Sequence, residues 1–92
     1  GRSFLNIPGN AVACLGGTPV AIMERQGKTL RLLETDDNVC AGCIKAFADA
    51  YKRGKIFPWI KRIVVKEYSE KGKEALEAAG FLREMRDYVM YR

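Results

Sequence analysis

Cys40-Ala41-Gly42-Cys43 is the pattern with the most chemistry in reach. Two thiols at this spacing make a dithiol redox pair, and the same spacing supplies half of a tetrahedral metal site. The redox reading predicts a solvent-reachable Cys40 with a lowered pKa, because a helix N-terminus stabilises the thiolate. The metal reading needs four ligands, yet the chain has no histidine and Cys14 is the only further thiol. A meander rather than a thioredoxin-like βαβ unit precedes the motif, which weighs against redox. The remaining alternative is that both cysteines are small apolar residues on a buried helical stripe.

Without histidine, Ser-His and Cys-His nucleophiles and histidine metal ligands are excluded within this chain. Four carboxylates remain as acid–base candidates: Asp36, Asp37, Glu67 and Asp87. The first two fall at a helix cap and Glu67 follows Lys66, so structural roles are expected. The glycine-rich pieces lack the spacing and the Lys-Ser/Thr ending of a phosphate loop and read as turns. This segment is therefore expected to be non-catalytic, with no metal or cofactor of its own.

The strongest binding pattern is basic and aromatic: Lys52, Arg53, Lys55, Phe57, Trp59, Lys61 and Arg62 fall within eleven positions. Cations of this kind engage phosphates while an exposed ring stacks on a base, each stack being worth roughly 1–3 kcal/mol. The alternative is that Phe57 and Trp59 belong to the core and the charges form its solvated rim. The net charge of +5 agrees with a polyanionic partner such as DNA, although it does not require one.

These residues must be positioned by a small number of elements. Ala11–Leu15, Thr18–Glu24 and Lys28–Glu34 read as a three-stranded meander turned by Gly16-Gly17 and Arg25-Gln26-Gly27. Val20 and Ile22 are expected on one face, with Leu30 and Leu32 in phase. Thr35 to Asn38 starts a helix that runs to about Arg53 and ends at Gly54. Cys40, Cys43, Ile44, Phe47, Ala48 and Tyr51 form its apolar stripe. Ile56–Tyr68 reads as one long extended segment whose centre, Ile60–Val65, is apolar on both faces and therefore expected inside a sheet. Ser69 caps a second helix through Ala79, with Ala75, Leu76 and Ala79 as a narrow apolar face and Lys73 to Glu77 as an i,i+4 pair. Phe81–Arg92 is a last strand broken near Arg86-Asp87. The predicted class is α+β in the order βββαβαβ: a small mixed, twisted, barrel-like sheet with two helices. Strand–helix–strand steps favour parallel strands and right-handed crossovers.

Ninety-two residues make one small domain. Residues 1–10 read as a lead-in from an upstream domain and residues 11–92 as the domain itself. The chain starts with neither Met nor a targeting signal, as a piece of a longer protein would. No hydrophobic run approaches the ~20 residues of a membrane span, and three cysteines suit a reducing compartment, so a soluble cytoplasmic protein with free thiols is expected.

Four segments together resemble a known family: Pro8-Gly9-Asn10-Ala11-Val12, GTPVAIMERQGKTLRLLE at residues 17–34, RIVVKEY at 62–68 and EALEAAGF at 74–81. The succession is similar to the C-terminal region of Lhr-type (long helicase-related) superfamily 2 DNA helicases. The pattern there is a G-x-P-V-x-x-x-E-R-x-G-K/R-x-L hairpin, a helix, a strand and an L-x-x-A-G-F segment. The CAGC helix lies outside that pattern, and the segment between Tyr68 and Glu74 is shorter than usual. The resemblance implies an accessory domain whose ATP- and Mg-dependent motor, with Walker A and DEAD/DEAH-type boxes, lies upstream. It implies as partners DNA and the preceding helicase domains. Docking on those domains would leave an apolar patch, for which Phe4, Leu5 and Ile7 are candidates. Some members of the family act on uracil-containing DNA, but no glycosylase residue transfers here; Asp87, a carboxylate near the end, matches no motif.

Overall fold

Tight, glycine-assisted turns stack the first half of the chain into one antiparallel sheet. The computed structural model describes the backbone of residues 2–7, 9–34 and 36–92 and the side chains of 9–34 and 36–92. Strands β1 (Arg2–Ile7), β2 (Asn10–Leu15), β3 (Thr18–Glu24) and β4 (Thr29–Leu32) lie in that sheet in sequential order. The stretch read as a lead-in thus supplies an edge strand, paired along its length with β2. Pro8 and Thr35, assigned to a turn and a helix start, lie outside the described residues, as do the side chains of Phe4, Leu5 and Ile7.

The core face of this sheet keeps Val20, Leu30 and Leu32 as the sequence reading has it but departs from it at Ile22. Met23 pairs with Leu30 and Ala21 with Leu32, whereas Ile22 sits opposite the exposed Arg31. Ala11, Ala13, Ala21 and Met23 are fully buried, Val20 is also buried, and Ile22 is only half-buried. Small and flexible residues therefore make most of the core side, and of the β-branched pair Val20 joins the core while Ile22 does not. A register irregularity at Ala13/Cys14 lets consecutive residues in this region be buried, so simple alternation misreads the phase.

Helix α1 (Asp37–Lys52) lies on β2 and β3. Asp36 caps it by accepting from the Val39 N–H at 3.0 Å, and Gly54 leaves it with φ +74°. All six residues of the predicted stripe are buried, and Ala50 joins them. Helix α2 (Glu70–Ala78) packs on α1 and β4, capped by Ser69 as expected. Its buried face is Gly72, Ala75 and Leu76; the bare Gly72 lets Leu30 close on the helix. The Lys73–Glu77 pair gives way to a different bond, since Glu77 accepts from the Tyr88 hydroxyl.

The second half forms a separate three-stranded sheet of β5 (Arg62–Val65), β6 (Leu82–Glu84) and β7 (Asp87–Tyr91), in the order β5-β7-β6. The class is α+β, and the expected βββαβαβ order is present, preceded by β1 and with the last strand folded into a hairpin. The strands do not form one barrel-like sheet. Both sheets are antiparallel, and among the described residues a single parallel bridge, Thr29 to Glu67, links them. The β5-α2-β6 step does leave its two strands parallel, but β7 is inserted between them.

The stretch expected to be an internal strand is shorter and lies at the border of its sheet. Only Arg62–Val65 is ladder; Trp59 and Ile60 belong to a turn closed by the Ile60 N–H donating to the Phe57 carbonyl at 3.2 Å. The run looked apolar on both faces because it joined a turn to a strand. Within β5 the faces differ: Ile63 and Val65 are buried while Arg62 is exposed. Gly27 explains how the two sheets meet. Its φ is +91°, and a Cβ there would lie 2.5 Å from Ile63 Cγ2, so both backbone shape and space demand glycine.

Candidate nucleic-acid interface

The C-terminal end of α1 and the loop that follows are built on one buried ring. Tyr51, the last residue of the helical stripe, has no exposed surface, and its hydroxyl donates to the Ile60 carbonyl at 2.8 Å. Burial pushes the Tyr51 pKa up, against the pull of the neighbouring Arg92. The Arg92 guanidinium lies 4.4 Å from the centre of that ring, within cation–π range. It donates to the Pro58 carbonyl at 3.0 Å and the Phe57 carbonyl at 3.1 Å, while its backbone N–H donates to the Lys61 carbonyl. One terminal residue therefore holds three carbonyls of the loop.

That clamp sorts the two rings. Phe57, at φ +45°, is fully buried, whereas Trp59 is 53% exposed and meets Phe57 edge-on at 6.3 Å. The core reading thus holds for Phe57 and fails for Trp59. Lys52, Arg53, Lys55, Lys61 and Arg62 are all exposed. Lys52 and Arg53 close the helix, where cations are also favoured by its dipole. Among the described residues, ion pairs join Arg25 to Glu67, Arg31 to Glu24, Lys66 to Asp87 and Lys71 to Asp37; none takes Lys52, Arg53, Lys61 or Arg62.

Hydrogen bonds and strand pairing fix Lys61 and Arg62 against Arg92 and Tyr91, and Trp59 follows Pro58, whose carbonyl Arg92 holds. Arg62 faces Tyr91 across the β5–β7 ladder, and a hydrogen bond from Arg62 lowers the tyrosine pKa that its bond to Glu84 raises. Lys52, Arg53 and Lys55 lie at and just past the end of α1, where the Lys55 N–H donates to the Ala50 carbonyl at 2.8 Å, and among the described residues no hydrogen bond or ion pair ties Lys52 or Arg53 to Trp59, Lys61 or Arg62. Arg92 and Tyr91 were missed by the sequence reading. Arg92 reaches Pro58 across 34 positions, and no local pattern marks such a contact.

The other chemical candidates are closed. Cys40 is 1% exposed, its Sγ donates to the Glu34 carbonyl at 3.3 Å, and burial is the main cause that raises its pKa. Cys43 and Cys14 are likewise buried, and neither is in a disulfide. This is the opposite of the accessible, low-pKa Cys40 that a redox pair requires. No group of three or more Cys, Asp or Glu suited to a metal occurs among the described residues. The carboxylates are engaged structurally: Asp36 in the helix cap, Asp37 with Lys71 at 3.0 Å, Asp87 with Lys66 at 3.0 Å, and Glu67 with Arg25 and Thr29. Among the described residues no helix is long and apolar enough to cross a membrane.

Comparison of the chain with protein-family models, curated proteins and solved structures finds no match.

Proposed function

We propose that this chain is a non-catalytic accessory domain that holds DNA through the loop between α1 and β5. Trp59 stacks on a base, and Lys52, Arg53, Lys55, Lys61 and Arg62 engage phosphates. The observation that carries this reading is the half-exposed Trp59, presented beside exposed cations while its neighbour Phe57 fills the core. A tryptophan left half in water costs apolar burial, and a stacking partner restores it. In the wider reading, suggested by the four helicase-like segments, the domain belongs to the C-terminal part of a cytoplasmic ATP-dependent DNA helicase active in repair. Motor domains upstream would then supply ATP and Mg chemistry.

Titrating the chain with short single- and double-stranded DNA at two salt concentrations, while following Trp59 fluorescence, tests the contact. Quenching that weakens steeply with salt, and is lost on replacing Lys61 and Arg62 with Ala, is the expected result. Absence of quenching at low salt overturns it and leaves docking on neighbouring domains as the role.

A further inference from the structure

At the far end of β7 from Trp59, the β6–β7 hairpin presents an apolar residue that the fold does not use. Met85 sits at its tip, 92% exposed, with φ +60°. Glycine or asparagine would occupy such a left-handed turn position more readily, and an exposed thioether gains nothing from core packing. Leu82, on the same hairpin, is also exposed.

The tip is held rather than loose. The Tyr68 hydroxyl donates to the Arg86 carbonyl, Arg83 Nε donates to the Met85 carbonyl at 3.1 Å, and Lys66 holds Asp87 at 3.0 Å. Tyr68 is itself braced edge-on against the buried Tyr88 at 5.1 Å. The local charges are sorted in the same way. Glu84 accepts from the Tyr91 hydroxyl and Asp87 is paired with Lys66, while Arg86 enters no ion pair among the described residues. Arg83 spends one N–H on Met85, and its terminal nitrogens remain for another acceptor.

We infer that this hairpin is a second nucleic-acid contact, in which Met85 enters a base step of duplex DNA as an apolar wedge while Arg83 and Arg86 engage the flanking phosphates. Apolar side chains, methionine among them, act in this way where a braced element presents them to a groove. Flanking arginines make phosphate the complementary partner. The inference takes its class of ligand from the proposed function, but rests on different residues. Strand β7, from Asp87 to Tyr91, spans about 13 Å at ~3.3 Å per residue, or about four base steps, so one short duplex is long enough to reach both ends of the sheet.

The test uses a duplex carrying 2-aminopurine, whose fluorescence rises when its stack opens. Wild-type protein is expected to raise it severalfold. Met85→Gly, which suits the positive φ and so keeps the fold, loses the rise yet still shows Trp59 quenching by single strands; Arg83→Ala with Arg86→Ala diminishes the rise. An equal rise with Met85→Gly overturns the wedge, as does no rise under conditions where Trp59 quenching proves binding. A rise without quenching supports the wedge and removes the Trp59 surface, whereas loss of both signals overturns both. Met85-dependent binding to phosphatidylserine–phosphatidylcholine vesicles, with no rise on the duplex, assigns the tip to a lipid surface and overturns the proposal.

Discussion

The two ends of α1 carry the two motifs with the most chemical promise, and they are opposite in character. At the N-terminal end the thiols are enclosed: Cys40 and Cys43 have almost no exposed surface, and Lys71 reaches across to Asp37 from α2. At the C-terminal end Tyr51, Ile56 and Phe57 are buried, while Trp59 and the surrounding cations face water. Residue type and spacing were suggestive at both ends. What separates them is the covering element, since α2 packs on α1 whereas Arg92 and the loop around Ile60 lie against Tyr51. A reactive group needs access as well as a favourable pKa, and the fold denies access to the pair that spacing alone would have favoured.

The comparison breaks most readily at Tyr51. Tyr51→Ala is expected to cost about 3–5 kcal/mol, the range for removing a buried aromatic ring, while Tyr51→Phe costs about 1 kcal/mol for the missing hydrogen bond. Urea unfolding midpoints would measure both; equal, small effects would mean that the loop is not built on this ring.

At the other end, Cys43→Ser puts a more polar hydroxyl at a fully buried position and is expected to cost about 1–3 kcal/mol. The native thiols should react with a thiol reagent only as fast as the chain opens, which comparing rates with and without urea would reveal. Rapid reaction of Cys40 in the folded protein would restore the redox reading.

Lys61→Ala with Arg62→Ala should change stability by no more than about 0.5 kcal/mol, because both side chains are exposed and neither enters an ion pair among the described residues. The same double variant should lower the salt slope of DNA binding by about two, one for each phosphate that is no longer neutralised.

The smallest effect is on alkaline stability. Cys40 has a raised pKa in the folded protein, so its contribution is complete below its ordinary value of 9.0 and is lost as pH rises through the folded value. Tyr88, pushed up to about 12 by burial and then by Glu77, extends the decline from pH 10 upward. In unfolding measured against pH, Cys40→Ala should remove the part beginning near pH 9 and leave the Tyr88 part. An unchanged profile would show that the thiol is not protected at all.

Both helices, with their caps and buried stripes, were legible because helical periodicity and capping are local: Asp36, Ser69, Gly54 and Gly80 mark the ends within one turn of the residues they terminate. The meander was legible for the same reason, its turns marked by glycines. Its inward face was legible only in part: Val20, Leu30 and Leu32 lie in or against the core, but Ile22 does not, because the irregularity at Cys14 shifts the phase and alternation has no memory of such a shift. The cations of the candidate surface were also readable, since exposed charge is the default.

By itself, then, the sequence determined the α+β class, the helix boundaries, the basic character of one loop and the absence of histidine chemistry. Only the tertiary structure decided that Phe57 turns inward and Trp59 outward, that β5 is a border strand, that the thiols are sealed, and that Arg92 clamps the loop. The first group depends on neighbours within a few residues. The second depends on contacts across about 10 to 40 positions, such as Gly27 against Ile63 and Arg92 against Tyr51. Chain connectivity brings no such pair together until the sheets have formed and packing leaves one arrangement without overlap.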